Sequence, residues 1–530
     1  MNKYLFLIAV VLVIILALVV TFHDEESYNV NLEKLRQEYA IKPVSSVDHS
    51  KLEVLKQEFV SPQEVTETCN SCHTERYKEI MSSAHWNWER TAYIEGRGVT
   101  TLGKKNIINN FCIGSSANEQ ACSKCHIGFG MTNDEFDFAN ASNVDCMVCH
   151  DNSEEYLKGS AMAGYPARSV NLQNVARSVG SPRKSNCGAC HFYSGGGNNV
   201  KHGDLEESLL ACDKEVDVHM AANGMDMSCV TCHTAENHVM KGRLYSVSSD
   251  DTHRALCEDC HTSRPHFDAV LNRHHRKVAC QSCHIPRYAK VNATKMAWIW
   301  SEAGRLKDGR PYQDTNDEGE PVYMSIKGRF IMRKSVFPDY VWFNGTADHY
   351  LLGDTIESAP VAINTLNGAY HDPDSRIIPV KIHRGDQIYD KQTGLLIQPK
   401  LFAFEKGDSA YWKDFDWGLA AEAGMKRVGL PYSGDYGFIE TEMYWPVNHM
   451  VSPKEQSLTC EECHIRSGGR LAALTGFYLP ARDRNMTLDL VEKTVLLLSI
   501  AGVMTHGIIR IFASRRKRSL TGADRSNHGD

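Results

Sequence analysis

A mainly α chain with irregular wrapping loops, a partly β insert and one transmembrane helix at each end is what the sequence predicts. Three observations lead there. The pentapeptide CxxCH occurs eight times in 530 residues, seven copies fall within 61–284 with the eighth after a long gap, and an apolar run stands near each terminus.

CxxCH is a c-type haem attachment signature: two thiols add to the porphyrin vinyl groups, and the histidine becomes an axial iron ligand. The copies are Cys69, Cys72 and His73; Cys122, Cys125 and His126; Cys146, Cys149 and His150; Cys187, Cys190 and His191; Cys229, Cys232 and His233; Cys257, Cys260 and His261; Cys280, Cys283 and His284; and Cys460, Cys463 and His464. They take sixteen of the 18 cysteines, which excludes a disulfide framework or zinc sites as the main use of sulfur. Eight covalently bound haem c groups make this a multihaem cytochrome, whose core forms around apolar porphyrin plates. From the second motif to the seventh, first cysteines lie 23 to 42 residues apart, room for a short helix and a loop but not for separate domains.

The termini set the compartment. Tyr4–Val20 is an apolar run behind Lys3, and its exit, TFHDEES, has no small-x-small cleavage pattern, so residues 1–22 read as an uncleaved signal anchor. A second run, Thr494–Ala513, ends in Arg515, Arg516, Lys517 and Arg518; the span is drawn over 487–514, with a cytoplasmic tail at 515–530. Both termini then face the cytoplasm of a bacterium, and the haem-bearing body stands on the periplasmic side, where c-type haems are attached. The formal charge is −7, and each haem adds two propionates. Nucleic acid is excluded as a partner, and an anionic substrate needs a local positive pocket.

Residues 23–60 read as a charge-rich stalk. Ser61, Pro62 and Glu64 then give an N-cap, a proline at the first helical position and a capping-box carboxylate. The approach to the first motif, SPxExxxTCxxCH, recurs before the eighth and reads as one helix-then-haem unit used twice. The haem-free stretch 285–459 holds strand-like pieces, PVYMSIKGRFIMR and SRIIPVKIHRGDQIYD. It either packs over haem edges or walls a substrate entrance. Residues 460–486 carry the last motif and a juxtamembrane segment.

Electron-transfer haems want two strong axial ligands, whereas a catalytic haem keeps one position open or weakly held. Sixteen histidines lie outside the motifs. His23, His49, His506 and His528 are set aside as tail or membrane residues. His85, His202, His219, His238, His253, His275 and His449 are favoured as distal ligands over His266, His274, His349, His371 and His383. Cys112, close ahead of the second motif, and Cys212 have no haem to hold. Cys112 reads as a buried inert thiol, as a partner of Cys212, or as a thiolate poised to attack a sulfur–sulfur bond.

An octahaem chain with Asn109-x-x-Cys112 ahead of the second motif and GGGNNVKHGD after the fourth resembles the octahaem tetrathionate reductase family, over about residues 60–480. The resemblance implies that Lys201 ligates the haem on Cys122 and Cys125, opposite His126, with Cys112 and Asn109 lining the pocket. It also implies an aspartate three residues before the lysine. Asn198 stands there instead, and Asp204 is the available substitute. The implied substrate is tetrathionate, fed by seven bis-histidine haems. A quinol-oxidising membrane protein or a small periplasmic cytochrome would be the donor. The alternatives are reduction of nitrite or hydroxylamine, and a non-catalytic conduit from the quinol pool. Known octahaem nitrite reductases use CxxCK at the active haem, and every motif here ends in histidine. Tyr478 is the one tyrosine considered for a crosslinked, hydroxylamine-oxidising haem. His506 and Arg510, inside the C-terminal apolar span, read either as tolerated or as a quinone contact.

Overall fold

The computed structural model describes residue 37, residues 47–242 and residues 253–523, with side chains of the last helix given up to Arg515. The anchor expected over 1–22 lies outside these residues. The chain divides into two compact units, Met1–Leu458 and Thr459–Asp530.

In the first unit the end of the expected stalk is part of the body. Leu55 and Phe59 are buried in a cluster with Val65, Phe129, Met147 and Val175. Helix α1, Pro62–Cys72, begins as its sequence dictates: the Ser61 hydroxyl accepts the Glu64 N–H at 3.3 Å, and Pro62 takes the first turn. The Glu64 carboxylate reaches one residue further back than a capping box, to the Val60 N–H at 2.8 Å. α1 runs unbroken into the first motif. Other motifs occupy single turns, such as Met147–His150, Cys229–Cys232 and Cys257–Asp259. A hairpin follows α1, β1 (Glu89–Ile94) against β2 (Gly98–Gly103).

The main regular layer of this unit is an eight-stranded sheet, which lies wholly within the 285–459 stretch expected to be partly β. Its strands are β3 (Thr294–Ile299), β4 (Gln313–Thr315), β5 (Pro321–Met324), β6 (Gly328–Arg333), β7 (Asp339–Phe343), β8 (Val361–Ala362), β9 (Arg376–Asp390) and β10 (Tyr436–Pro446). Their order is β8-β10-β9-β3-β6-β5-β4, with β7 also on β9. β9 pairs antiparallel with β10 from Val380↔Pro446 to Asp390↔Tyr436, and runs parallel to β3 through Arg384↔Ala297. The β5–β6 turn carries Gly328 at φ +85°, a left-handed position that glycine adopts without strain. Aromatic packing builds the core: Trp298 stacks on Trp300 at 4.7 Å, and Tyr411 on Trp417 at 3.7 Å. Trp417 opens helix α2, Trp417–Arg427, capped by Asp416.

Side chains alternate across a strand, so Lys381, His383 and Gln387 share one face of β9. All three are buried. That face meets the two segments on which the site depends.

In the second unit Thr459 and Glu462 form a capping box around Cys460–Cys463. Ahead of it, in the first unit, stands only a single turn, Lys454–Gln456. The two SPxExxxTCxxCH stretches therefore fold differently: one is a continuous helix, while Thr459 starts a new helix at the other. Helix α3, Met486–Ala523, includes the span Met486–Arg515, mean hydropathy 1.9 and unburied, long and apolar enough to cross a membrane.

Candidate active site

Two axial imidazoles, each about 2 Å from the metal and about 1.1 Å from bonding nitrogen to ring centre, have centroids about 6.2 Å apart. Six pairs in the first unit match that spacing. His49 lies 6.2 Å from His73, His85 6.3 Å from His191, His150 6.4 Å from His238, His219 6.2 Å from His261, His233 6.2 Å from His449, and His266 6.0 Å from His284. Each pair joins one motif histidine to one that is not. The residues present therefore fit haem. Burial pushes His191 down to about 3, keeping its ring in the neutral, metal-binding form. Second nitrogens are engaged as metal-ligating histidines require: His150 Nδ1 with the Gly180 carbonyl at 2.8 Å, His233 Nδ1 with the Lys241 carbonyl at 2.9 Å, and His238 Nδ1 with Glu79 at 2.8 Å.

Three favoured distal residues lie elsewhere. His202 packs edge-on to Trp445 at 4.9 Å, His253 is exposed, and His275 Nε2 is taken by Glu258 at 2.7 Å. His49 and His266, not favoured from sequence, stand in the pairs. Nothing local distinguishes them; His49 reaches His73 only because 47–60 folds back onto the body.

The second motif is built differently. His126 is fully buried among Trp86, Trp88, Phe136 and Phe138, with ring centroids 5.1 to 6.1 Å away. Its Nε2 is hydrogen-bonded to the Trp86 carbonyl at 2.6 Å. Lys158 donates to the His126 carbonyl and forms a buried ion pair with Asp145 at 3.0 Å, while the Tyr156 hydroxyl donates to the same carboxylate at 2.8 Å. Sequence reasoning missed this pair, which ties the end of the second motif to the residue preceding Cys146. The Cys125 and Cys190 side chains are in hydrogen-bonding contact, as are Cys69 with Cys146 and Cys187 with Cys229, so the second motif adjoins the fourth, the first the third, and the fourth the fifth.

Lys201 shares this site. Burial and the charge of Lys104 lower its amine to about 8, while Cys125 and Cys112 act the other way. The amine lies 4.7 Å from the Trp445 ring centre. Its loop is pinned from behind by Lys381, which donates to the Val200 carbonyl at 2.8 Å, the Lys201 carbonyl at 3.0 Å and the Thr294 hydroxyl at 2.6 Å. The Asn109–Cys112 segment is held by the same strand: Gln387 donates to the Asn109 carbonyl at 2.9 Å, and Asn110 to the His383 carbonyl at 3.0 Å. The Asn109 side-chain oxygen accepts the Phe111 N–H at 2.9 Å and shapes the turn that presents Cys112. Cys112 and Cys212 are both free thiols; Cys212 lies in a separate cluster with Phe192, Leu209 and Met220. The 285–459 stretch is thus the wall on which both loops are mounted.

Asp204 is not the acid–base substitute expected. Its carboxylate accepts the Asn448 and His449 N–H groups at 2.7 and 2.9 Å and faces His449 Nδ1 at 3.1 Å, so it is spent on positioning His449. Asn198 accepts the Glu207 N–H at 2.9 Å.

Three family models match parts of the chain: bacterial cytochrome c over 295–467, the outer membrane cytochrome MtrC/MtrF-like domains II/IV over 131–243, and cytochrome c554 and c-prime over 68–151. A crystal structure of an octaheme cytochrome c from Shewanella oneidensis superposes with a TM-score of 0.74 at 42% identity, covering 80% of this chain and 95% of that one. A protein of Archaeoglobus fulgidus, described as uncharacterized, is 25% identical over 242 residues, 36% of this chain and 80% of that protein.

Proposed function

The chain belongs to the octahaem c-type cytochromes, and on that premise we propose that it is a membrane-anchored periplasmic reductase of tetrathionate, acting at the second motif and fed by the other seven haems. One observation carries the reading: at this motif a half-buried lysine and a free cysteine stand together, whereas six other motif histidines each face a histidine.

Cys122, Cys125 and His126 would hold a haem here with Lys201 beside it, and that haem would supply electrons singly at a weakly held iron position. His126 must release the Trp86 carbonyl to serve. Lys201, displaced and protonated, becomes a cation beside the incoming dianion. The Cys112 thiolate attacks a sulfur of the central S–S bond; the Cys–S bond forms, the S–S bond breaks, and one thiosulfate leaves. Two electrons then cleave the cysteine–thiosulfate adduct, releasing the second thiosulfate and regenerating the thiolate, with no net proton consumed. The donor is a quinol-oxidising membrane protein or a small periplasmic cytochrome, and α3 holds the protein at the cytoplasmic membrane.

The test is reoxidation of the fully reduced protein by tetrathionate, nitrite and hydroxylamine, alongside paramagnetic resonance of the oxidised form. Fast reoxidation by tetrathionate, with one haem outside the bis-histidine class, is expected. Reoxidation by nitrite or hydroxylamine alone moves the reading to the nitrogen substrates. No reoxidation and only bis-histidine signals make the protein a conduit.

A further inference from the structure

Beside Cys112, on the side supplied by the sheet, lie two more lysines that hold no carboxylate. Lys295 on β3 is buried, its amine 3.7 Å from the Trp298 ring centre and 3.4 Å from that of Phe330. Among the described residues its amine makes no hydrogen bond or ion pair. Lys327, in the β5–β6 turn, is half-buried, its amine 5.9 Å from Trp298 and 5.6 Å from Trp412. Trp298 locks this turn by donating its indole N–H to the Lys327 carbonyl at 2.6 Å. The charges acting on Lys295 are those of Lys327, Cys112 and Lys381, and no carboxylate is among them.

The glycine loop joins these lysines to the haem site. A Cβ on Gly195 would meet Phe111 at 3.2 Å and the Lys201 side chain at 3.3 Å, whereas one on Gly196 would stand 3.4 Å from the Lys327 amine. Both glycines have positive φ, and Gly196 is exposed. Lys327 therefore neighbours exposed Gly196 and acts on Lys295, Cys112 acts on Lys295, and Gly195 adjoins Lys201, so the amines form one cluster about the glycine loop. Burying an amine without a counter-charge costs several kcal/mol, and aromatic faces repay only about 0.5–2 of it. In a chain of net charge −7, burial and the charge of Lys327 hold the Lys295 amine down, and an anion beside these amines restores their charge and is favoured where the global field repels it.

We propose that Lys295 and Lys327 form a second anion subsite, which binds the far end of an elongated dianion whose near end lies at Lys201 and Cys112. A ligand with a charge at each end, such as a polythionate, engages both subsites; nitrite or hydroxylamine fills only the inner one. This rests on the reading of the second motif as the substrate site, and it assigns to the sheet the choice of substrate length and charge.

The haem-loaded protein with Lys295→Met, Lys327→Gln and both changes tests it. With a viologen donor, KM for tetrathionate should rise about tenfold in each single variant with kcat within about twofold, while hydroxylamine kinetics stay unchanged. The rise should shrink at high salt. Equal KM values, or equal losses for both substrates, overturn the subsite. Lys327→Gln lies in a half-buried turn and keeps the test open if Lys295→Met does not fold. Calorimetric titration of the fully oxidised protein with tetrathionate reads the subsite without turnover. Weakened binding in Lys327→Gln with an unchanged haem spectrum supports it even if tetrathionate is not reduced, and unchanged binding overturns it even if tetrathionate is.

Discussion

The second and third motifs use the same pentapeptide to opposite ends. At the third, His150 faces His238 at 6.4 Å, and both rings have their other nitrogen fixed by a carbonyl or a carboxylate. At the second, no histidine among the described residues faces His126, which sits in an aromatic box and hydrogen-bonds a carbonyl, while a lysine, a cysteine and an asparagine turn arrive from elsewhere in the chain. Two matched ligands make an iron that changes charge with little rearrangement. An unmatched site, mounted on a sheet, leaves a position for something else. Identical sequence signatures thus specify attachment, and the surroundings specify use.

The largest effect expected is on the support of the unmatched site. Lys158→Met leaves the Asp145 carboxylate buried without its cation and should cost about 3–5 kcal/mol in denaturant unfolding. The matched variant at the exposed Lys78–Glu75 pair, Lys78→Met, should leave unfolding essentially unchanged; equal losses would remove the claim that the second site is specially braced. Next, Lys201→Ala should change one haem's resonance signature and lower tetrathionate turnover by ~10²-fold. An unchanged spectrum would place Lys201 off the iron. Lys381→Met removes the three hydrogen bonds behind the Lys201 loop, with an expected loss of about 1–3 kcal/mol and a mixture of two spectra at the active haem. A single, wild-type spectrum would mean the loop needs no wall. Cys112→Ser should slow tetrathionate about tenfold and leave hydroxylamine untouched, separating a covalent step from simple docking. Smallest of all, Asp204→Asn should shift only the haem on Cys229 and Cys232, through His449, with turnover within about twofold. Loss of activity there would return Asp204 to the catalytic site.

What sequence revealed and what it hid follow from the range of each interaction. The attachment sites are local, five residues long, and could be read directly. So could the strands at 321–333 and 375–390, because alternation is also local. The opposite ligands are not local: His449 serves His233 and His49 serves His73 through tertiary folding that no neighbouring residue announces. Asp204 looked like a candidate acid because it lies near Lys201 in sequence, yet its carboxylate points to the turn at 448–449. Lys381 reads as an ordinary strand residue until register brings its face of β9 against Val200 and Lys201.

The histidine pairs also set a timetable. His49, His85, His219 and His266 precede the motifs they face, whereas His238 and His449 follow theirs. As the chain is made from its N-terminus, the motif at Cys229 and Cys232 receives its facing histidine, His449, only after the whole sheet has been made. Until then its iron has one bare face, open to peroxide and stray ligands. A chain cut short within the sheet would therefore keep seven attachment motifs, lose the eighth, and leave His233 without the histidine that faces it.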